Sequence, residues 1–201
     1  MFELSEIEEL VNQINLPRLY EIAKNSAQIG NEILKINYNK IQKISSKGRK
    51  GDLVTNVDLE VENKIKEYLL QETPNISIHA EESGKLNKSS DLTWCIDPLD
   101  GTTNYSHGYP FFGSSIGLVY KNNPIIGAIS VPYLSELYSA CIGLGSFCND
   151  IKLKVTSPSN LSDSLLVTGF AYDRFEVEDN NYAEFCYCLL YTSDAADDMA
   201  G

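Results

Sequence analysis

Basic residues are in short supply in this 201-residue chain: 16 Lys and Arg stand against 28 Asp and Glu, giving a net charge of −12 and a pI near 4.5. That balance argues against a dedicated nucleic-acid or anionic-membrane binder, whose affinity comes from Lys and Arg neutralising phosphate charge. It leaves small anions open, because a few metal ions reverse the sign of one pocket. No apolar run reaches the roughly 20 residues that span a bilayer. The acidic opening Met1-Phe2-Glu3-Leu4-Ser5-Glu6 lacks the basic start and apolar block of a secretory leader. Histidine is limited to His79 and His107, with no His-Glu-x-x-His arrangement, and the five cysteines include no Cys-x-x-Cys pair. Neither a disulfide framework nor a zinc knuckle is indicated, and a reduced, cytoplasmic protein fits best. What the chain does have is ordinary globular material, 43% apolar and 22% charged, enough for one sizeable domain or two small ones.

The last residues stand apart. Residues 188–198, Cys-Leu-Leu-Tyr-Thr-Ser-Asp-Ala-Ala-Asp-Asp, match residue for residue the translation of a transposase-type sequencing-library adapter. An acidic helix is the alternative, but identity over the whole stretch favours the adapter, so 188–201 is expected to be a non-native tail and is set aside.

Along the rest, apolar spacings of three and four over residues 4–36 predict amphipathic helices broken near Asn15-Leu16-Pro17. Residues 38–56 turn basic and glycine-bearing, with Lys47, Arg49 and Lys50, and predict a hairpin or mobile loop. Asp58 is expected to cap a helix whose inner face is Val61, Ile65, Tyr68 and Leu69. Strands are predicted at 76–79, 92–96, 113–120, 125–131, 137–141, 151–155 and 165–168, with turns at Asn122-Asn123-Pro124 and Pro132-Tyr133, and a helix from Asn180 to Tyr187. Helices followed by mostly antiparallel strands make a layered α+β plan. Trp94, Phe111, Phe112, Tyr138 and the cysteines read as core, and His107 as loop packing.

Two acidic clusters follow neighbouring strands: Ala80-Glu81-Glu82-Ser83-Gly84 and Asp97-Pro98-Leu99-Asp100-Gly101-Thr102-Thr103-Asn104-Tyr105. Either alone is turn material or a solvated loop. Both follow apolar strands, so together they can deliver Glu81, Asp97 and Asp100 to one sheet edge, and hard oxygen ligands without His or Cys suit Mg²⁺. Gly101 allows close approach to the backbone, and a helix opening at Thr102-Thr103-Asn104 offers amide N–H groups to a phosphate. Carboxylates for metal beside amides for an anion make a phosphate-ester site.

These residues resemble the inositol monophosphatase family of lithium-sensitive phosphatases. Asp97 to Tyr105 is similar to its Asp-Pro-(Ile/Leu)-Asp-Gly-Thr-x-Asn-(Phe/Tyr) signature. Glu81-Glu82-Ser83 resembles its Gly-Glu-Glu-Ser element with Ala80 for the glycine, and Asp52-Leu53-Val54-Thr55 through Asp58 its Asp-Leu-Val-Thr-x-x-Asp segment. The resemblance implies the layered fold of the inositol monophosphatase and fructose bisphosphatase type, with 1–187 as the N-terminal and central part of a single phosphatase domain, incomplete at the C-terminus. It implies two or three Mg²⁺ ions, held by Glu81, Asp97, the Leu99 carbonyl and Asp100. Glu81 and Thr102 would position the nucleophilic water, Asp58 would orient the Thr102 hydroxyl, and Leu99, Asp100, Gly101 and Thr102 would contact the phosphate. Lys47, Arg49 or Lys50 could close over it.

The implied substrate is a small phosphorylated polyol or sugar, first myo-inositol monophosphate. Fructose bisphosphate, histidinol phosphate and nucleotide phosphates stay open, neither nucleic acid nor membrane is a partner, and a homodimer is compatible. The family's last metal-ligand aspartate has no counterpart before the tail, so this chain by itself is expected to be inactive or nearly so. Rivals are a catalytically silent binding module and an acidic Ca²⁺ site.

Overall fold

Asn15 lies at the break read from the sequence, and its side chain accepts the Arg18 amide at 3.1 Å to open helix α1 (Leu16–Asn37). Pro17 occupies the first turn, where a missing N–H costs nothing. In this computed structural model, residues 14–40, 44–46, 53–157 and 180–187 are described, with positions 160, 164, 165, 167, 170 and 177. The predicted helix before Ile14, the basic side chains of Lys47, Arg49 and Lys50, and most of 158–179 lie outside them.

The buried stripe of α1, from Leu19, Ile22 and Ala23 through Ser26, Ala27 and Gly30 to Leu34, follows the spacing of three and four that one helix face requires. Strands β1 (Ile44–Ser46) and β2 (Leu53–Thr55) pair antiparallel, Ile44 opposite Thr55 and Ser46 opposite Leu53, in keeping with the hairpin reading of this stretch. Helix α2 (Asn56–Glu72) follows at once and buries Val57, Val61, Ile65 and Leu69, while Tyr68 is only half-buried. The sequence reading put its cap at Asp58. Thr55 is the cap instead, and Asp58 sits three residues in, completing a capping box.

Eight strands form one sheet in the order β10-β9-β8-β7-β6-β5-β3-β4. They are β3 (Ser77–Ala80), β4 (Gly84–Leu86), β5 (Leu92–Asp100), β6 (Gly113–Tyr120), β7 (Asn123–Val131), β8 (Glu136–Cys141), β9 (Gly145–Cys148) and β10 (Ile151–Lys152). All neighbours are antiparallel except β3 and β5, which run parallel. The five-residue helix α3 (Thr102–Ser106) leaves the end of β5.

Helices α1 and α2 pack on each other and on one face of the sheet, α1 over β6 and β7, α2 over β5. Trp94, Ile96, Ile116, Leu118, Ile126 and Ala128 fill the interface. The helix and sheet backbones come close where Gly30 meets Ser114, and a Cβ on Gly30 would lie 2.6 Å from the Ser114 Cβ. The layered α+β plan is the one found.

Several local expectations fail for identifiable reasons. The β6–β7 turn is Lys121-Asn122, with φ of 45° and 69°, so Asn123 and Pro124 start the strand. Only Ile151 and Lys152 of the 151–155 run pair, and Leu165 and Val167, 94% and 91% exposed, belong to no strand. Gly84–Leu86 and Gly145–Cys148 are strands that their glycines concealed. Phe111 and Tyr138 are exposed rather than core, and of the described cysteines only Cys141 is buried, with Cys95 and Cys148 half-buried and Cys186 exposed.

The chain divides into two compact units, Met1–Lys47 with Leu53–Lys154, and Gly48–Asp52 with Val155–Gly201. The first holds every helix and strand named above. In the second, residues 182–187 are helical, and Phe170 sets its ring against Tyr182 and Phe185 at 4.9 and 5.3 Å. Among the described residues no helix is long and apolar enough to cross a membrane.

Candidate active site

Parallel pairing brings the two acidic clusters together. Ala80 registers with Ile96, and the Glu81 amide donates to the Ile96 carbonyl at 3.0 Å, so Glu81 leaves β3 just where Asp97 stands on β5. The carboxyl groups of Glu81 and Asp97 are hydrogen-bonded to each other, and Asp100 is near enough for its charge to act on Asp97.

Along β5 the register slips between Asp97, opposite Ser115, and Asp100, opposite Gly113. Pro98 and Leu99 thus face one partner residue, a bulge. Side chains three apart in a strand point to opposite faces, and one extra residue re-aims them. The bulge is what gives Asp97 and Asp100 a common edge.

Asp97 carries the electrostatic signature of this crowding. Its carboxyl is pushed up to about 8, first by burial, then by the charge of Glu81 and the hydrogen bond with it, then by the charge of Asp100. The Leu99 amide, 3.2 Å from Asp97 Oδ1, pulls the other way.

A second chain of contacts starts from the cap of α2. Asp58 is 1% exposed, and its Oδ2 accepts both the Thr55 amide, at 2.9 Å, and the Thr55 hydroxyl. Its Oδ1 faces the Thr102 hydroxyl at 3.3 Å, which also reaches the Leu99 carbonyl at 3.0 Å. Burial pushes the Asp58 carboxyl up, and the bonds from Thr55 and Thr102 act against it. Leu99 joins the two sets, its amide on Asp97 and its carbonyl on Thr102.

Gly101 caps α3 in the left-handed region, φ 87°, and a Cβ there would stand 3.2 Å from the Phe111 carbonyl oxygen. No side chain caps this helix start.

The predicted residues therefore fall into a pair, Glu81 and Asp97, with Asp100 within charge range, and a network of Asp58, Thr102 and Leu99. Among the described residues no three His, Cys, Asp or Glu side chains are gathered into a ready metal cage. Glu81 and Asp100 are exposed, so the acidic edge is open. A hollow of about 520 Å³ lies elsewhere, lined by Ile125, Ile126, Ala140, Cys141 and Ile142 among others. His107 packs on its own loop, its Nδ1 2.8 Å from the Thr103 carbonyl.

Two contributors went unread in the sequence. Thr55 was legible, since Thr-x-x-Asp before a helix is capping-box spacing. Glu62, a buried acid whose oxygens accept the amides of Glu82 and Ser83 at 2.7 and 3.1 Å, carries no sequence signal of its own, since an acid on an amphipathic helix is ordinarily solvated.

The architecture is that of solved inositol monophosphatases. The structure from Anabaena (Nostoc) sp. superposes with a TM-score of 0.73 at 42% identity, covering 86% of this chain and 63% of that one. The profile of the inositol monophosphatase family matches residues 15–190, and the chain belongs to that family. An inositol-1-monophosphatase of Synechocystis sp. is 46% identical over 164 residues, 81% of this chain and 57% of the relative. A fructose-1,6-bisphosphatase/inositol-1-monophosphatase of Aquifex aeolicus is 41% identical over 158 residues, 78% and 60% of the two lengths. The chain thus spans under two thirds of the length of these relatives.

Proposed function

We propose that this chain carries the acidic half of the active site of a Mg²⁺-dependent phosphomonoesterase acting on small polyol or sugar phosphates, myo-inositol monophosphate first. The observation that carries the reading is the Glu81–Asp97 pair beside Asp100, one residue ahead of the Gly101–Thr102 helix start. Its donor set fits a hard divalent cation. The influences that dominate Asp97 are burial, two carboxylates and one amide, and a cation is the counter-charge that such crowded oxygens take up. Bound divalent cations supply neutralisation of the ester's charge and acidification of a water nucleophile.

The remaining work belongs to the chain. Glu81, Asp97, Asp100 and the Leu99 carbonyl would hold the cations. Thr102, its hydroxyl pinned between Asp58 and the Leu99 carbonyl, would orient the attacking water together with Glu81. The Gly101 and Thr102 amides would face the phosphate oxygens as negative charge grows on them. Water adds to phosphorus, the ester P–O bond breaks, and the alcohol leaves with a proton; no covalent enzyme intermediate is required. Cysteines suited to a reduced setting agree with a cytoplasmic enzyme.

Within this chemistry an open acidic edge admits more than one sugar phosphate, as the double name of the Aquifex aeolicus relative illustrates. The test is release of inorganic phosphate, with Mg²⁺, by the full-length gene product that carries this segment, from a panel led by myo-inositol monophosphate and fructose bisphosphate. Turnover abolished by Asp97→Asn is expected. Failure to hydrolyse any ester by a folded, Mg²⁺-binding protein would overturn the assignment in favour of a binding module.

A further inference from the structure

Glu62 sits in the middle of α2 with its side chain 2% exposed, yet it is an acid. Its two oxygens accept two consecutive backbone amides, Glu82 N to Oε2 at 2.7 Å and Ser83 N to Oε1 at 3.1 Å. Lys66, one helical turn on, lies 3.5 Å from Glu62 Oε1 and donates to the Ser83 hydroxyl at 2.8 Å. The clamped residues are the turn between β3 and β4, which ends at Gly84 with φ 74°.

Two neighbouring amides on one buried carboxylate form a charge-assisted, two-pronged grip, stronger than neutral bonds and specific in direction. Glu81 therefore has its backbone held on both sides: its own amide on the Ile96 carbonyl, and the next amide on Glu62. Its Cα cannot drift along the open sheet edge without breaking one of these bonds.

We infer that Glu62 is a positioning residue: it acts through the Glu82 and Ser83 amides to hold the Glu81 carboxylate against Asp97 in the geometry that takes a divalent cation. This rests on the reading that Glu81 and Asp97 bind such a cation. An outer residue that orients a ligand typically changes metal affinity by about 10- to 100-fold. Glu62 grips the amides of the two residues that follow Glu81 rather than the Glu81 carboxylate, which places the effect at the lower end.

The test is Mn²⁺ binding by calorimetry on the 201-residue chain, for wild type, Glu62→Gln, Glu81→Gln and the double variant, with the Tm of each. An amide at position 62 keeps one acceptor oxygen and turns an N–H donor toward a donor, so one prong is lost. The expected result is an affinity loss of about 10-fold for Glu62→Gln and no further loss when it is added to Glu81→Gln. Unchanged affinity in Glu62→Gln, or losses that simply add, would overturn the inference. Wild-type protein that binds no Mn²⁺ would overturn the metal-site reading itself. Hydrogen exchange in the unsubstituted chain gives an answer even if Glu62→Gln does not fold. The Glu82 and Ser83 amides are expected to exchange at least ~10-fold more slowly than an open loop allows, and loop-like rates would refute the clamp.

Discussion

Asp58 hangs between two threonine hydroxyls, one structural and one at the candidate site, and removing them separately should divide stability from chemistry. Thr55→Val deletes the N-cap of a 17-residue helix and the hydroxyl bond to a carboxylate that is 1% exposed. Losing an N-cap costs about 1 kcal/mol, and leaving a buried charged acceptor one bond short adds about 1–2 kcal/mol. Because ~1 kcal/mol moves Tm by roughly 2–4 °C in a chain of this size, a fall of about 4–12 °C is expected. Thr102→Val removes a longer bond to Asp58, 3.3 Å, and the 3.0 Å contact with the Leu99 carbonyl, from a half-buried residue. Water can replace part of it, so the cost stays below about 1 kcal/mol. Its effect should fall on kcat instead, by about 100-fold, since the hydroxyl proposed to orient the water is gone. Differential scanning fluorimetry on the 201-residue chain and phosphate release by the full-length gene product read the two arms. If Thr55→Val leaves Tm unchanged, the capping role is refuted. If Thr102→Val lowers kcat no more than Thr55→Val does, the positioning role is refuted.

Asp97→Asn should raise the Tm of the metal-free chain by about 2–4 °C, the shift of ~1 kcal/mol, because it relieves the repulsion by Glu81 and Asp100. Mg²⁺ is expected to raise the Tm of the wild type and not that of Asp97→Asn, and a variant stabilised by Mg²⁺ as much as the wild type would contradict the proposed site. Gly101→Ala puts a side chain at φ 87° and 3.2 Å from the Phe111 carbonyl oxygen, at a cost of about 1–3 kcal/mol readable in urea denaturation. Gly30→Ala drives a methyl into Ser114; overpacking of about 1–3 kcal/mol should exceed the gain in helix propensity. Adding Ser114→Gly should recover part of the loss.

The sequence exposed the carboxylates but not the device that aligns them. Strands at 113–120 and 137–141 were legible because apolar residues recur in short β-rich runs, and the acidic clusters because Asp-Pro and Asp-Gly are turn dipeptides, although β5 runs on through Asp97-Pro98 to Asp100 instead of ending at 96. Periodicity carries no information on which strands become neighbours, so the parallel β3–β5 pairing that joins Glu81 to Asp97 had to come from tertiary structure. The bulge at Pro98-Leu99 was hidden for a similar reason, since it exists only relative to β6. Glu62 was hidden by its chemistry: a lone acid on an amphipathic helix reads as solvated, and its partners are backbone amides 20 residues away. Phe111 erred in the opposite direction, an aromatic read as core that the glycine-and-proline-bearing loop after α3 leaves outside.

Leu99 shows why the site depends on the interior as much as on its acids. Its side chain is 1% exposed, locked into the core, while its amide holds Asp97 and its carbonyl holds Thr102. A core leucine makes dozens of weak contacts and seldom moves without losing several of them. The two polar groups flanking that anchor inherit its immobility. Burial and the charges of Glu81 and Asp100 all work against an ionised Asp97, since like charges without a cation gain nothing from proximity. The bulge supplies the direction and the buried leucine supplies the resistance. The carboxylates are therefore held together at the expense of local stability, as the proposed cation site requires.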